Sequence, residues 1–483
     1  MSTAPDAVGV APPAAHACSA SRISLIVAVV AFVTTLDNTI IAAAAPSIGR
    51  ELGLELSTLQ WVSVAYMLPY GGLLLGAGAL IDQWGRRRAL LVACALFAAG
   101  ALCGGVARSA ELLIAARVLQ GTAAAFLVPG TLSLIRTELP GSERARAIAV
   151  WTASLAAALA LGPWLGGALA EHAHWSWIFL CNIPFLAVAG GLLARTAELV
   201  HRRPGAPGRV GSAVLVTLGL VLLTASAAAS WESGACQLVA AGLGVTGLVV
   251  FAVREHRSRT PLVPAALRSN RVFLGANALI LLWGLGISGI VFFTPAVFQE
   301  SLGLAPQAAG LPLVVVAVAV VGATPLVPAA TRALGAHRAV FLGLLALSAG
   351  LLQLAAVNDE TSMAPRIAGL VLAGIGSAFT APITGRALDL IGAQESGAAS
   401  GALTASRELS SAFGVVLIGF VLTAVQAAEV GGGAPRGPAL ASGYAAALVV
   451  AASLQAAGAV LALVVLRARR AGGSTSAENC EGA

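Results

Sequence analysis

The chain has 483 residues, 58% hydrophobic and 10% charged, with a formal net charge of +7. A soluble domain carries about 25% charged residues, so this composition excludes a water-soluble globule. With no soluble basic domain to hold it, the positive balance does not indicate nucleic-acid binding.

Apolar stretches of about 20 residues, enough to cross ~30 Å of hydrocarbon, recur along the whole chain. Fourteen spans are predicted. The first eight start near Ile23, Leu59, Ala89, Ala110, Arg146, Trp175, Val210 and Cys236. The other six start near Val272, Ala309, Ala339, Ala364, Ala398 and Leu440. Residues 1–22 are rich in Ala, Pro and Ser and are predicted to be a disordered tail. Span 1 is too long for a signal-peptide core and no cleavage site follows it, so it is expected to remain as a span.

Arginine supplies all 28 basic residues. With fourteen spans and both termini inside, 22 arginines fall in tails and inner loops and four in outer loops, at Arg50, Arg108, Arg366 and Arg436. Arginine beside anionic headgroups holds a loop in the cytoplasm, so this asymmetry sets the topology. The net charge is therefore a topology signal.

In span 1, Asp37 lies in TTLDNTII. At about 1.5 Å per residue it sits some 21 Å from the cytoplasmic face. In span 4, Arg117 lies about 10 Å below the outer face by the same rise, so the two are expected at similar depth. Arg117, Gln120, Gly121 and Ala124 follow i, i+3, i+4, i+7 spacing and share a helix face. A charge in a span costs about 2.5–3.5 kcal/mol on insertion scales, which marks both residues for a role. Asp37 either exchanges a proton for a partner group or forms a static ion pair with Arg117 that ties two helices.

Between spans 2 and 3 stands Gly78–Arg88, GALIDQWGRRR. Gly78 is expected to admit a close helix neighbour, Asp82 to reach a partner helix end, Gly85 to turn the chain and Arg86 to anchor it. Trp61 and Tyr66 on span 2, and Trp175 and Trp177 at the start of span 6, fit interfacial anchoring or substrate stacking. Span 5 carries Gly162, Pro163, Gly166 and Gly167 in ALGPWLGGALA, where proline bends the helix and the glycines permit close packing. This is either a hinge at a bundle interface or ordinary small-residue packing.

Arginine-rich linkers, 195–209 and 254–271, flank spans 7 and 8. Pro328–Arg338, PAATRALGAHR, resembles a worn copy of the Gly78–Arg88 loop, with Gly335 in the place of Gly85 and Arg332 in the place of Asp82. The offset of eight spans suggests two six-helix bundles with spans 7 and 8 between them. Glu300 and Asp389 end their spans and read as interfacial. Arg407 and Glu408, in SGALTASRELSSAFG of span 13, are neighbours pointing about 100° apart. Either they lie near the midplane with one facing a cavity, or the span starts later and both meet headgroups. The six cysteines have no paired spacing, and every histidine falls in a loop or tail, so no metal site is expected.

Several segments together resemble one family. GALIDQWGRRR resembles the cytoplasmic loop signature of the major facilitator superfamily, RVLQGTAAA (117–125) its helix 4 motif and LGPWLGG (161–167) the helix 5 motif of its antiporters. LDNTIIAAAAPSI (36–48), LQWVSVAYML (59–68), WSWIFLCNIP (175–184) and RELSSAFGVVLIG (407–419) resemble the fourteen-helix drug:proton antiporter branch. The resemblance implies an all-α polytopic membrane protein with two six-helix bundles, residues 23–200 and 272–466, an extra helix pair in 201–271, and cytoplasmic tails 1–22 and 467–483. It implies a monomeric antiporter in the plasma membrane, most simply a bacterial inner membrane. It would export a hydrophobic or amphipathic drug for protons, by alternating access and without a cofactor. Its partners would be the small-molecule substrate, protons and lipids. By carry-over, Asp37, Arg117 and Glu408 couple protons, and Gly78, Asp82, Gly85 and Arg86 latch the outward-facing state against span 13. Gly162, Pro163, Gly166 and Gly167 form the antiporter hinge, and Tyr66, Gln120 and Arg407 are candidate substrate contacts. One departure is AAAAP (42–46), which lacks the polar residue usual there, and another is the scarcity of cavity acids. The alternative is a proton-coupled carrier of an endogenous sugar or organic ion. A membrane enzyme or receptor is disfavoured, because the loops are too short for a catalytic constellation or a sensing domain.

Overall fold

A computed structural model of the protein describes residues 13–196, 207–228, 234–258, 261–357, 362–389, 391 and 396–467. Every regular element among them is helical. The first part of the chain forms α1 Pro13–Thr39, α2 Ile41–Leu52, α3 Leu56–Trp84, α4 Arg86–Gly105, α5 Ala110–Glu138, α6 Gly141–His172, α7 Trp177–Leu180 and α8 Asn182–Ala194. Then come α9 Pro207–Ala228 and α10 Gly234–Arg257. The last part forms α11 Ala265–Ser269, α12 Arg271–Ser301, α13 Pro306–Ala323, α14 Val327–Leu334, α15 Ala336–Ala356, α16 Ala364–Ala378, α17 Ala381–Asp389, α18 Ser396–Gly431 and α19 Arg436–Val465.

Twelve helical segments among the described residues are long and apolar enough to cross a membrane. With α3, 29 residues long, and α9, 22 residues long, the count is compatible with fourteen spans. Local chemistry sets several starts. Ser109 accepts a hydrogen bond from the Leu112 N–H at the head of α5, and Asn270 accepts from Val272 and Phe273 at the head of α12. One expectation fails: the tail predicted over 1–22 is helical from Pro13. Its alanines are strong helix formers and extend span 1 toward the terminus.

The helices pack as two groups. In the first, α5 packs on α3 and α4, α6 on α1, and α8 on α4 and α1. In the second, α12 packs on α18 and α19, and α15 on α16 and α19. Of the pair α9 and α10, α9 lies against α3, with Thr217 set against Gly72, and also touches α18, while α10 packs on α9. The repeated loop is visible in the backbone. Gly85 (φ 87°, ψ 138°) and Gly335 (φ 80°, ψ 154°) adopt the same left-handed turn. Each donates its N–H four residues back, to Ile81 and Thr331, and each carbonyl accepts from four residues on, at Ala89 and Ala339. Only glycine takes this φ without strain, so these two positions mark the internal repeat.

The end of the molecule holding Arg86–Arg88 also holds Arg22, Arg136, Arg144 and Arg195, linked by arginine-to-carbonyl hydrogen bonds. The two groups meet through α6 with α13, α3 with α18, and α2 with α12. Among the described residues, the hydrogen bonds joining the groups lie at the opposite end. Gln299 donates to the Ala43 carbonyl at 2.9 Å, Gln307 N–H donates to Glu171 at 3.1 Å, and Gln307 Oε1 pairs with His172 at 3.1 Å.

Two helices along the seam tell the same story. On α18, Ser400, Thr404, Arg407 and Ser411 share one face and are exposed or half-buried, while Val415, Ile418 and Leu422, continuing that face, are buried. On α6, Ile148, Thr152, Leu155 and Leu159 are open in the same way, and Pro163 and Gly166 farther along are buried. A cleft between the groups therefore opens toward the arginine-rich end and closes at the other.

Candidate functional site

Asp37 and Arg117, predicted at similar depth, form an ion pair in which Arg117 Nη1 donates to Asp37 Oδ2. Their side chains are 1% and 0% exposed, so no solvent reaches the pair in this conformation. Asp37 Oδ1 accepts from Gln120 Nε2 at 2.7 Å and from Asn182 Nδ2 at 2.8 Å. Arg117 Nε donates to the Val62 carbonyl at 2.9 Å, and its guanidinium stacks over the Tyr66 ring, 4.4 Å from the centroid. Tyr66 in turn donates to the Thr34 carbonyl at 3.1 Å. Arg117 Nη2 alone in this guanidinium has no partner among the described residues.

The helix geometry explains the convergence. Gly121, next to Arg117 and Gln120 on α5, packs against the Tyr66 backbone so closely that a Cβ there has no room. That contact brings α3 to α5 and puts Tyr66 under the guanidinium. Tyr66 is therefore a fully buried partner of Arg117, which corrects its reading as an interfacial anchor. Gln120, a candidate substrate contact, is likewise fully buried and spends its amide on Asp37. Asn182, within WSWIFLCNIP, is a site residue that the sequence reading does not single out. Its signal was available: a lone amide in an apolar helix needs an internal partner.

The second charged pair is arranged differently. Arg407 faces the cleft and is stacked over the Trp283 indole of α12, 5.1 Å from its centroid. It makes no ion pair or side-chain hydrogen bond among the described residues. Glu408 turns toward α3, where a Cβ on Gly71 would stand 3.1 Å from the Glu408 Cβ. Gly71 lies near the middle of α3 and Trp283 near the middle of α12, so the pair lies away from the helix ends.

The α6 glycines are used as packing surfaces on two sides. Gly162 abuts Thr39 and Gly166 the Ile40 carbonyl, where α1 passes into α2. Gly167 abuts the Pro306 carbonyl, and Gly310 of α13 abuts the Pro163 carbonyl across the seam. This motif forms the closed end of the cleft. In the Gly78–Arg88 loop, Arg86 Nε donates to Ser133 Oγ of α5 at 2.7 Å, inside its own bundle. Among the described residues no neighbouring helix comes within 4 Å of a Cβ placed on Gly78, so the close approach expected there is not seen in this conformation. Asp82 lies in α3, and its side chain is outside the described residues.

Of the remaining aromatics, Trp175 is buried and donates to Glu51 at 2.7 Å, which makes it a loop tie, whereas Trp177 is 51% exposed as an anchor would be. Arg366, placed in an outer loop from sequence, sits in the first turn of α16. It is 1% exposed, over the Phe298 ring. Glu300 and the exposed Asp389 end their helices as read. An apolar groove of about 490 Å³ runs between α1, α6 and α8, lined by Val29, Phe32, Ala157 and Phe185 among others.

The comparisons with known proteins agree with this architecture. The profile of the Major Facilitator Superfamily matches residues 27–415. The chain is 32% identical to the multidrug efflux pump LfrA of Mycolicibacterium smegmatis, over 80% of this chain and 78% of that protein. It is 32% identical to the puromycin resistance protein pur8 of Streptomyces alboniger, over 81% and 80%. It is 33% identical to the cephamycin export protein CmcT of Amycolatopsis lactamdurans, over 80% and 82%. Among solved structures, a bacterial homologue of the lysosomal transporter Spinster, inward-facing and unoccupied, superposes with a TM-score of 0.67 at 16% identity, covering 95% of this chain and 98% of that one. The fold, the length of the match and the curated relatives converge on one assignment: this multi-pass membrane chain belongs to the major facilitator superfamily of transporters.

Proposed function

We propose that the protein is a proton-coupled exporter of hydrophobic or amphipathic drugs, working as a monomer across the bacterial plasma membrane without a cofactor. The arginine-rich end faces the cytoplasm under the positive-inside rule, which puts both termini inside. The cleft described above is then the inward-facing state. The relatives named for drug efflux and antibiotic resistance support the cargo class.

The reading rests on the sealed Asp37 site. In this reading Asp37 is ionised here, its charge balanced by Arg117 and its oxygens filled by two amides. That is the state expected after a proton has left to the cytoplasm. When the outer end opens, a shift of α5 against α1 within the first bundle separates Arg117 from Asp37, and the acid, left without its counter-charge, takes up a proton. Return of Arg117 expels that proton inward. Each proton moving in contributes about 2.3 kcal/mol per 100 mV, against about 1.4 kcal/mol for a tenfold substrate gradient. One proton thus suffices for a substantial gradient. Gly162, Pro163, Gly166 and Gly167 act as the seam that opens outside, and Gly78, Asp82, Gly85 and Arg86 latch α3 against α18 when the inner end closes. Glu408 is a second protonation site, and Arg407 contacts substrate.

The test is a susceptibility panel in an efflux-deficient bacterial host expressing wild type or Asp37→Asn. Wild type should protect against at least one antibiotic and the variant against none. Equal protection by both would remove Asp37 from the coupling.

A further inference from the structure

Arg407 is a cation in the middle of a membrane-spanning helix and forms no ion pair among the described residues. Such a charge is expensive unless something compensates it, and internal arginines ordinarily find a carboxylate or carbonyls. Here the guanidinium packs on the face of Trp283 and has the Glu408 charge and Tyr70 nearby, but among the described residues no side chain hydrogen-bonds its N–H edges. Glu408 is next in sequence but turns toward Gly71 of α3, a different direction by about 100°. Arg407 also sits where the α18 face changes from open to closed, with Ser400 and Thr404 below it and Ser411 one turn above. The Ser411 hydroxyl donates to the Arg407 carbonyl, so these small polar residues border the guanidinium without neutralising it.

We propose that Arg407 and Trp283 form an anion subsite of the transport cleft, which takes an aromatic compound bearing a carboxylate or sulfonate. The guanidinium presents a planar fork that matches such a group with two parallel hydrogen bonds, and a flat ring system continues the stack begun on Trp283. The inference rests on the exporter reading for the meaning of the cleft. It goes beyond that reading by naming the charge of the cargo. A cationic cargo, the other common class, is disfavoured at this spot by the arginine itself.

Equilibrium dialysis on the purified full chain in phosphatidylcholine nanodiscs decides the matter, with 2-naphthalenesulfonate and 2-naphthylmethylammonium as matched probes. Wild type is expected to bind the sulfonate saturably, Arg407→Gln at least tenfold more weakly, and Arg407→Lys in between. The ammonium probe should bind no more weakly to Arg407→Gln than to wild type. Ser411→Glu, which places an acid one turn from Arg407 and leaves the arginine in place, should also lose the sulfonate. It keeps the test valid if Arg407→Gln misfolds. No saturable sulfonate binding by wild type, or equal binding by wild type, Arg407→Gln and Ser411→Glu, would overturn the subsite. Failure of the exporter reading looks different: sulfonate binding follows these expectations while the susceptibility panel shows no protection by wild type.

Discussion

Asp37 and Arg117 come from helices 80 residues apart and meet in a sealed site with each carboxylate oxygen engaged. Arg407 and Glu408 are neighbours on one helix, and there the arginine looks into an open cleft while the acid presses on another bundle. The same two chemical groups are thus used in opposite ways. The first pair can change only if helices move, because nothing diffusible reaches it. The second can be met by a ligand while the helices stay still. A transporter that exchanges two species needs both properties: one charge gated by conformation and one available to cargo.

The sharpest way to break this contrast is to remove one half of the sealed pair. Arg117→Leu leaves Asp37 buried without a counter-charge and should cost roughly 3–5 kcal/mol, whereas neutralising both partners costs far less. Arg117→Leu should therefore melt well below wild type in detergent, and Asp37→Asn/Arg117→Gln should recover most of the loss while transporting nothing. A double variant no more stable than Arg117→Leu would show that the pair is not a closed electrostatic unit. Arg407→Gln, by contrast, should lower the melting temperature by much less, because Arg407 is open to the cleft and forms no ion pair among the described residues.

Next in size is the seam that makes the sealed state possible. Gly166 and Gly167 touch backbone on either side, so a leucine at either position cannot be accommodated with the outer end closed. Gly167→Leu should hold the bundles apart there. A cysteine at Thr404, reachable from the cleft here, should then label more slowly from the cytoplasmic side than in the otherwise unaltered chain. Unchanged labelling would mean that this seam does not control which end is open.

Much of the sealed site was legible in the sequence because charges in apolar spans are rare. Two depth counts sufficed to place Asp37 opposite Arg117, and helical spacing put Gln120 on the same face. What escaped was the part set by rotation about each helix axis. Tyr66 looks like an interfacial aromatic until Gly121 draws α3 against α5 and turns the ring under the guanidinium. Asn182 carried a polar signal but no direction. Arg407 and Glu408 could be placed at a depth only once the start of α18 was fixed. The loop glycines, in contrast, were readable as a repeat, since a left-handed turn leaves few residue choices.

The smallest expected effect sharpens the contrast at the level of one hydrogen bond. Asn182→Ala removes one of the two amides on Asp37 Oδ1 and leaves Gln120 and Arg117 in place. Hydrogen bonds between membrane helices average about 0.6 kcal/mol, and those to a charged group reach about 1.5–3, so a loss near 1 kcal/mol is expected. The variant should stay folded and still protect its host. Because Asn182 is one of the groups that hold the Asp37 carboxylate, its loss should move the pH optimum of export measured in inverted vesicles. An optimum that does not move would take Asn182 out of the proton path.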